Sequence, residues 1–463
     1  MTSPAPSARL ILLSNRGPYR LQPAATKIRR ERTIGGLVTS VLPLVERRHG
    51  LWIAAGEPEG RYVFNSPKCR FTLRYLHLTP EQVRGHYQGV SNNALWPLCH
   101  YFINRIRYDE EEWQAYESVN QRFAEAALEE AGEEDVIWVH DYQLALVPFY
   151  LRQARPSAHV LFFWHIPFPS VEVFRTLPWR KLVLESLLAC DVIGFHIPEY
   201  AKNFVESAEE LLGASVQAER LQYAGHECQV LARPLGIDFH TLDRQARTPR
   251  LESRVQKLRQ AVGDGTLLLG VERMDYTKGI LERLRSIEFL LEYHPKWRGR
   301  FCLVQIVTPS RGEVEAYRQK KREVDEAVGR INGQFSEGGW LPIRYLHRSF
   351  SPQELSVYYR AADIALVTPL RDGLNLVAKE FVATRIHDDG VLILSEFAGA
   401  AYQLPEALLT NPYSPAEMAA SLESALQMPK DEQRLRMTAM RKRLKEQDIV
   451  WWANEFLNKT QVG

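Results

Sequence analysis

Residues 266–279 read TLLLGVERMDYTKG and run through Ile280 into LERLRSIEFLLEYH at 281–294. The apolar run TLLLGV has the length of a buried strand, and the segment after 280 carries helical periodicity. Between them lies a charged loop that ends at Gly279, where the helix begins. The same grammar recurs on both sides. Short apolar runs occur at 10–14 (LILLS), 136–140 (VIWVH), 160–165 (VLFFWH), 191–196 (DVIGFH), 301–307 (FCLVQIV), 364–369 (IALVTP) and 391–396 (VLILSE), each followed by polar or Gly/Pro punctuation. Helical stretches such as KLVLESLLAC separate them. Alternation at this spacing predicts an α/β protein with parallel sheets covered on both faces.

The segment ARPLGID at 232–238 brings a strand-like run to Pro and Gly, and a polar helical stretch follows at 241–260. TLLLGV then opens a second Rossmann-like domain. The predicted division is 1–235, 236–440, and a C-terminal helix within 441–463 that packs back on the domains. That helix, near EQDIVWWANEFLNKT, is amphipathic and aromatic-rich.

At 463 residues the chain has room for more than one core. It is 45% hydrophobic and 25% charged, and 58 basic against 56 acidic side chains leave a formal charge of +2. That balance gives no reason to expect a nucleic-acid or membrane-surface partner, while a local Arg/Lys cluster could still serve a small anionic substrate. The five cysteines show no CxxC or metal-like spacing, which predicts reduced thiols and no metal. The start, MTSPAPSARLILLSNR, lacks the basic and apolar regions of a signal peptide, and no apolar run approaches the roughly 18–20 residues of a membrane span. The expected location is cytoplasmic.

In doubly wound sheets, ligands sit beyond the carboxyl ends of the strands. Arg16 ends the first strand, and Gly35-Gly36 opens a helix, either as a close approach to phosphate or sugar or as a plain loop-to-helix turn. Asp141 follows VIWVH and could accept from sugar hydroxyls or cap a helix. His165 follows VLFFW and could donate to a hydroxyl or rest satisfied in the core; the prolines after it make a rigid loop. Arg273 and Lys278 lie in the loop between a strand and a helix that begins near Gly279, a pairing suited to a diphosphate leaving group. In LVTPLRDGLNLVAKE, Asp372 and Gly373 precede an open backbone at Leu374, Asn375, Leu376 and Val377, with Glu380 one turn into the helix. Such a helix start can hold phosphates on its amides and a ribose diol on its Glu. Arg311, in VTPSRGEV, could add charge for an anionic acceptor. These parts describe a cleft with a nucleotide-sugar grip on the second domain and an acceptor site on the first.

The blocks HDYQLALVP, HIPFPSVEVFRTLPWR, GVERMDYTKGI, VGRINGQFS and TPLRDGLNLVAKE, in this order, resemble the trehalose-6-phosphate synthase family of retaining glycosyltransferases. The resemblance implies a GT-B fold, two Rossmann-like domains facing across a cleft, the first binding acceptor and the second nucleotide sugar. It implies transfer of glucose from a nucleotide-glucose to glucose 6-phosphate with retention. The donor would be UDP-glucose, with ADP or GDP as alternatives. No cofactor or metal is implied, and a homo-oligomer is left open. Carried over by position, Gly35 and Gly36 would cover the donor phosphates. Arg16, Tyr87 and Arg311 would clamp the acceptor phosphate, with Trp96 walling the pocket and Tyr142 beside it. Asp141 and His165 would hold sugar hydroxyls, and Arg273 and Lys278 would neutralise the departing diphosphate. Asp372 would hold the donor sugar beside the amides of Gly373–Val377, with Glu380 on the ribose.

Two segments depart from the family pattern. SNRGPY lacks the leucine and valine that commonly flank its proline, and LWIAAGEPEG lacks a second tryptophan after Trp52. HIPEYAKNF, ESLLACD and the segment 390–414 resemble glucosylglycerol-phosphate synthases, which use glycerol 3-phosphate and usually ADP-glucose. Arg311 argues for the sugar-phosphate acceptor. Amine-linked pseudoglycosyltransferases are a third relative. A catalytically silent regulator would lack the donor residues present here, and a Rossmann oxidoreductase would need a GxGxxG after its first strand.

Overall fold

The computed structural model describes residues 8–22, 29–33, 36–66, 69–263, 265–309 and 315–458. They divide into two compact units, one of residues 1–234 with 452–463 and one of residues 235–451. The expected border at 235/236 is one position from the crossing at 234/235, while the expected border at 440/441 falls eleven positions before the crossing at 451/452. Helix Lys430–Glu446 falls wholly in the second unit, because Met437, Met440 and Leu444 are buried in its core.

The first unit is built on a ten-stranded sheet. Its parallel part runs, edge to edge, His226–Ala232, Val192–Phe195, His159–Phe163, Val136–His140, Leu10–Arg16, Leu51–Ala55 and Cys69–Leu76. Antiparallel hairpin strands extend both edges, Gly60–Ser66 on one side and Arg220–Tyr223 with Ser215–Gln217 on the other. The apolar runs are buried along almost their whole length, as strands covered on both faces must be. From Leu10–Arg16 the chain first builds toward Leu51–Ala55, then returns to Val136–His140 and builds the other way. The order therefore reverses between Leu10–Arg16 and Val136–His140, which makes their carboxyl ends the ligand position of this sheet.

Helix Ile449–Leu457 contributes its last turns to this unit. Trp452 stacks on Trp138 at 5.1 Å between centroids, and Phe456 on the same indole at 5.2 Å. Gly194 makes room for the Phe456 ring, which a Cβ would meet at 2.4 Å. Trp452 and Phe456 are wholly buried.

The second unit holds a six-stranded sheet in the order Ile343–Leu346, Phe301–Thr308, Thr266–Arg273, Ile364–Val367, Val391–Ser395, Leu408–Thr410, all parallel. Period-two alternation sends Leu267, Leu269 and Val271 into one core layer and Leu268 into the other. The next strand does the same, with Ala365 and Val367 opposite Ile364 and Leu366. Here the order reverses between Thr266–Arg273 and Ile364–Val367. The chain enters and leaves this unit at one place: Ile449 N–H donates to Ile237 O at 3.0 Å, and a Cβ on Gly236 would meet the Asp448 backbone at 2.2 Å.

Candidate active site

At the reversal of the second sheet, Thr266–Arg273 ends on Arg273, which is exposed, and the chain turns through Tyr276–Lys278. Asp275 caps that turn, accepting from Thr277 N–H and Thr277 Oγ1, each at 3.0 Å. Gly279 then takes φ +63°, and a Cβ there would meet Thr368 O at 2.2 Å. That position requires glycine, both for the left-handed backbone and for the close approach of the neighbouring strand end. The approach brings Lys278 to Asp372: Nζ donates to Oδ2 at 2.7 Å, with side-chain exposures of 9% and 15%. Asn375 Nδ2 donates to the same carboxylate oxygen at 3.1 Å.

Asn375 has φ +80° and caps helix Leu376–Thr384, its Oδ1 accepting from Ala378 N–H at 3.2 Å. The loop before it is packed backbone on backbone, since a Cβ on Gly399 would meet Gly373 O at 2.1 Å. Leu374 is buried, while Leu376 and Val377 are half-buried at the helix start. One turn on, Glu380 is half-buried and accepts from Tyr359 Oη at 2.9 Å. Burial pushes the Glu380 carboxyl up to about 7, and the Tyr359 hydrogen bond opposes that rise.

Beneath these loops is a polar cluster that no sequence motif announces. Arg283 is fully buried and pairs with Glu272 at 2.5 Å, donates to Gln305 Oε1 at 3.0 Å and to Thr368 Oγ1 at 3.1 Å. Gln305 Nε2 donates to Glu272 Oε2 at 2.7 Å. Burial raises the Glu272 carboxyl, against the pull of Arg283 and Lys278. A Cβ on Gly270 would meet Gln305 and Arg283 at 2.5 and 2.6 Å, so the glycine in TLLLGV makes space for the cluster. The network joins strands Thr266–Arg273 and Phe301–Thr308, the end of Ile364–Val367 and the helix Ile280–Tyr293 beneath the Lys278 loop.

At the reversal of the first sheet, Arg16 Nη2 donates to Tyr87 Oη at 2.8 Å, and the guanidinium lies 5.2 Å from the Tyr87 ring centre. Tyr87 rides on a π-helical segment, Val83–Leu95, whose wide turn no residue pattern announces. Asp141 sits at φ +76°, ψ 162°, a conformation costing about 1–3 kcal/mol for a residue with a side chain. The geometry is held because Asp141 Oδ1 accepts from Tyr142 N–H at 3.0 Å and His165 N–H at 3.1 Å. The carboxylate thus ties together the loops after two adjacent strands. Tyr142 and Trp96 lie in the core, 1% and 5% exposed, with their rings 6.0 Å apart. His165 is half-buried, and its Nε2 lies 3.0 Å from Nδ1 of the wholly buried His140. Burial lowers His165 to about 3 and His140 well below its ordinary value, so both rings are neutral at physiological pH.

The expected residues therefore fall into two groups. Arg273, Lys278, Asp372, Gly373, Leu374, Asn375, Leu376, Val377 and Glu380 border the reversal of the second sheet. Arg16, Tyr87, Asp141 and His165 border that of the first, with Trp96 and Tyr142 packed behind. Gly36 begins helix Gly36–Arg47, while Gly35 and Arg311 lie outside the described residues. Among the described residues no group of His, Cys, Asp or Glu is arranged to hold a metal ion, and no helix is long and apolar enough to cross a membrane.

Two Rossmann-like units, each with polar side chains gathered where its strand order reverses, define the GT-B class of nucleotide-sugar glycosyltransferase folds. The model of glycosyltransferase family 20 matches residues 8–461, and the chain belongs to that family. It is 42% identical to the trehalose-6-phosphate synthase of Mycolicibacterium vanbaalenii, over 97% of this chain and 95% of that one. It is 41% identical to the bifunctional trehalose-6-phosphate synthase/phosphatase of Thermoproteus tenax, over 97% of this chain, and spans 63% of that relative's length. A crystal structure of the UDP-forming α,α-trehalose-phosphate synthase of Burkholderia xenovorans, in complex with glucose 6-phosphate, superposes with a TM-score of 0.90 at 31% identity, covering 98% of this chain and 100% of that one.

Proposed function

We propose that this chain transfers glucose from UDP-glucose to glucose 6-phosphate with retention, giving α,α-trehalose 6-phosphate and UDP. The observation that carries the reading is the junction of Lys278 with Asp372 at the start of the helix that bears Glu380. A cation, a carboxylate, helix amides and a ribose-height carboxylate are together what a nucleotide diphosphate sugar needs. The relatives named above support the acceptor and the product.

In this reading the acceptor hydroxyl attacks the anomeric carbon on the face the diphosphate leaves. The carbon–oxygen bond to the β-phosphate breaks as the new glycosidic bond forms, and the hydroxyl proton passes to the departing phosphate oxygen. Arg273 and Lys278 stabilise the negative charge that grows on the diphosphate. Asp372 and His165 hold sugar hydroxyls, Asp141 holds the reacting sugars in register, and Glu380 takes the ribose diol. Arg16, Tyr87 and Arg311 receive the acceptor phosphate, with Gly35 and Gly36 over the donor phosphates.

The test is nucleoside diphosphate release from UDP-, ADP- and GDP-glucose, each with glucose 6-phosphate and with glycerol 3-phosphate. Turnover with UDP-glucose and glucose 6-phosphate is expected. Turnover confined to glycerol 3-phosphate would overturn the acceptor assignment, and preference for ADP- or GDP-glucose would overturn the donor.

A further inference from the structure

We infer that His140 is a positioning residue: its Nδ1–H donates to His165 Nε2 and so keeps the His165 proton on Nδ1, where the ring serves a sugar hydroxyl as a donor. This rests on the proposed role of His165 at the sugar. The two nitrogens are 3.0 Å apart, and the rings lie nearly parallel, 23° apart in plane with centroids at 5.3 Å. A neutral imidazole carries one N–H, so in this pair one ring donates and the other accepts.

The surroundings of His140 decide which. Its Nε2 is buried with no hydrogen-bond partner among the described residues, and so is the indole N–H of Trp138, whose ring centre lies 4.7 Å away. A proton on His140 Nε2 would set a second buried donor without an acceptor beside the first, and orphaned buried N–H groups are the rarer defect. A proton on Nδ1 uses the one partner available. His165 Nε2 then accepts, and the nitrogen that His140 does not touch must carry the proton.

The arrangement is also rigid. His140 is the last residue of Val136–His140, in register with Ser14 on one side and Phe163 on the other, and Trp138 is held from behind by Trp452. Burial keeps both rings neutral through physiological pH, so a single tautomer is there to be fixed. His140 does not stand out in the sequence as His165 does, because a strand-end histidine gives no sign of the ring beside it.

The measurement is a two-bond proton–nitrogen correlation on the full chain labelled with 15N-histidine, with His165 assigned by its loss in H165Q. The expected result is a neutral Nδ1–H tautomer for His165 from about pH 6 to 9. In H140F that preference should be lost, and kcat with the best substrate pair should fall about tenfold or more, as when a catalytic histidine loses its orienting partner. H140N, which keeps an N–H near Nδ1, should restore both the tautomer and most of the rate. An Nε2–H tautomer for His165 in the unaltered protein overturns the inference even if no variant folds, and so does an unchanged tautomer in H140F. Absence of turnover with every donor and acceptor would fell the proposed function while leaving the tautomer result to stand alone.

Discussion

Lys278 and Asp372 are 94 positions apart in sequence and 2.7 Å apart in space. Their pairing neutralises two charges that solvent barely reaches, so a buried cation persists at a strand end where a leaving diphosphate would need it. Lys278→Ala and Arg273→Ala are each expected to lower kcat by about 10²–10³, the loss typical of a donor aimed at developing charge. Steady-state kinetics on both variants checks this, and near-normal kcat in both would remove them from the chemistry. Glu380 adds a pH dependence. Its carboxyl ionises at about 7 in the folded protein against 4.5 ordinarily, so between those values the folded state holds the proton more tightly. Folding stability from this group is therefore present below 4.5 and lost as pH rises toward about 7. Thermal melts of Glu380→Gln against the unaltered chain across that window should show a smaller fall in Tm with pH for the variant.

Among the elements, the short apolar strands were the legible part, because a strand covered on both faces leaves an uninterrupted apolar run. The edge hairpins were not. RLQY and GRYVFNS alternate or mix polarity, and their strand character comes from pairing with a neighbour already in the sheet. The π-helical turn of Val83–Leu95 likewise follows from tertiary packing, with Gly85 and Gly89 each too close to helix Glu110–Glu130 for a Cβ to fit at 2.5 and 2.4 Å. Site residues were visible as chemistry after strands, while their meeting was not, because strand order and register are absent from local pattern. The Glu272–Arg283–Gln305 cluster was hidden for a related reason: charged residues read as solvated until register buries them. Arg283→Met alone is expected to destabilise the second unit by about 3–5 kcal/mol, since it strands the Glu272 charge. The double change with Glu272→Leu should recover much of that. Denaturant melts of the single and double variants decide it, and equal losses would show that the ion pair itself, not the stranded carboxylate, carries the stability.

At the scale of the whole molecule, the second unit is an insertion within the first. Its ends are joined by Ile449 N–H to Ile237 O, while Trp452 and Phe456 complete a core laid down by strands more than 250 positions earlier in the first unit. Ending the chain before Trp452 is therefore expected to loosen the first unit and spare the second. Limited proteolysis followed by fragment mapping should show early cuts within 8–234 and a resistant fragment spanning 235–451, and uniform resistance would count against it.

Gly194, shaped to receive the Phe456 ring, also sets an order of events during synthesis. Strands of the first unit must wait, with an unfilled apolar slot behind them, for an aromatic pair that leaves the ribosome more than 250 residues later. The later unit can close while the earlier one is still open. The first unit is thus completed only after the whole second unit has emerged, and the nascent chain is most exposed to aggregation on the back of the ten-stranded sheet.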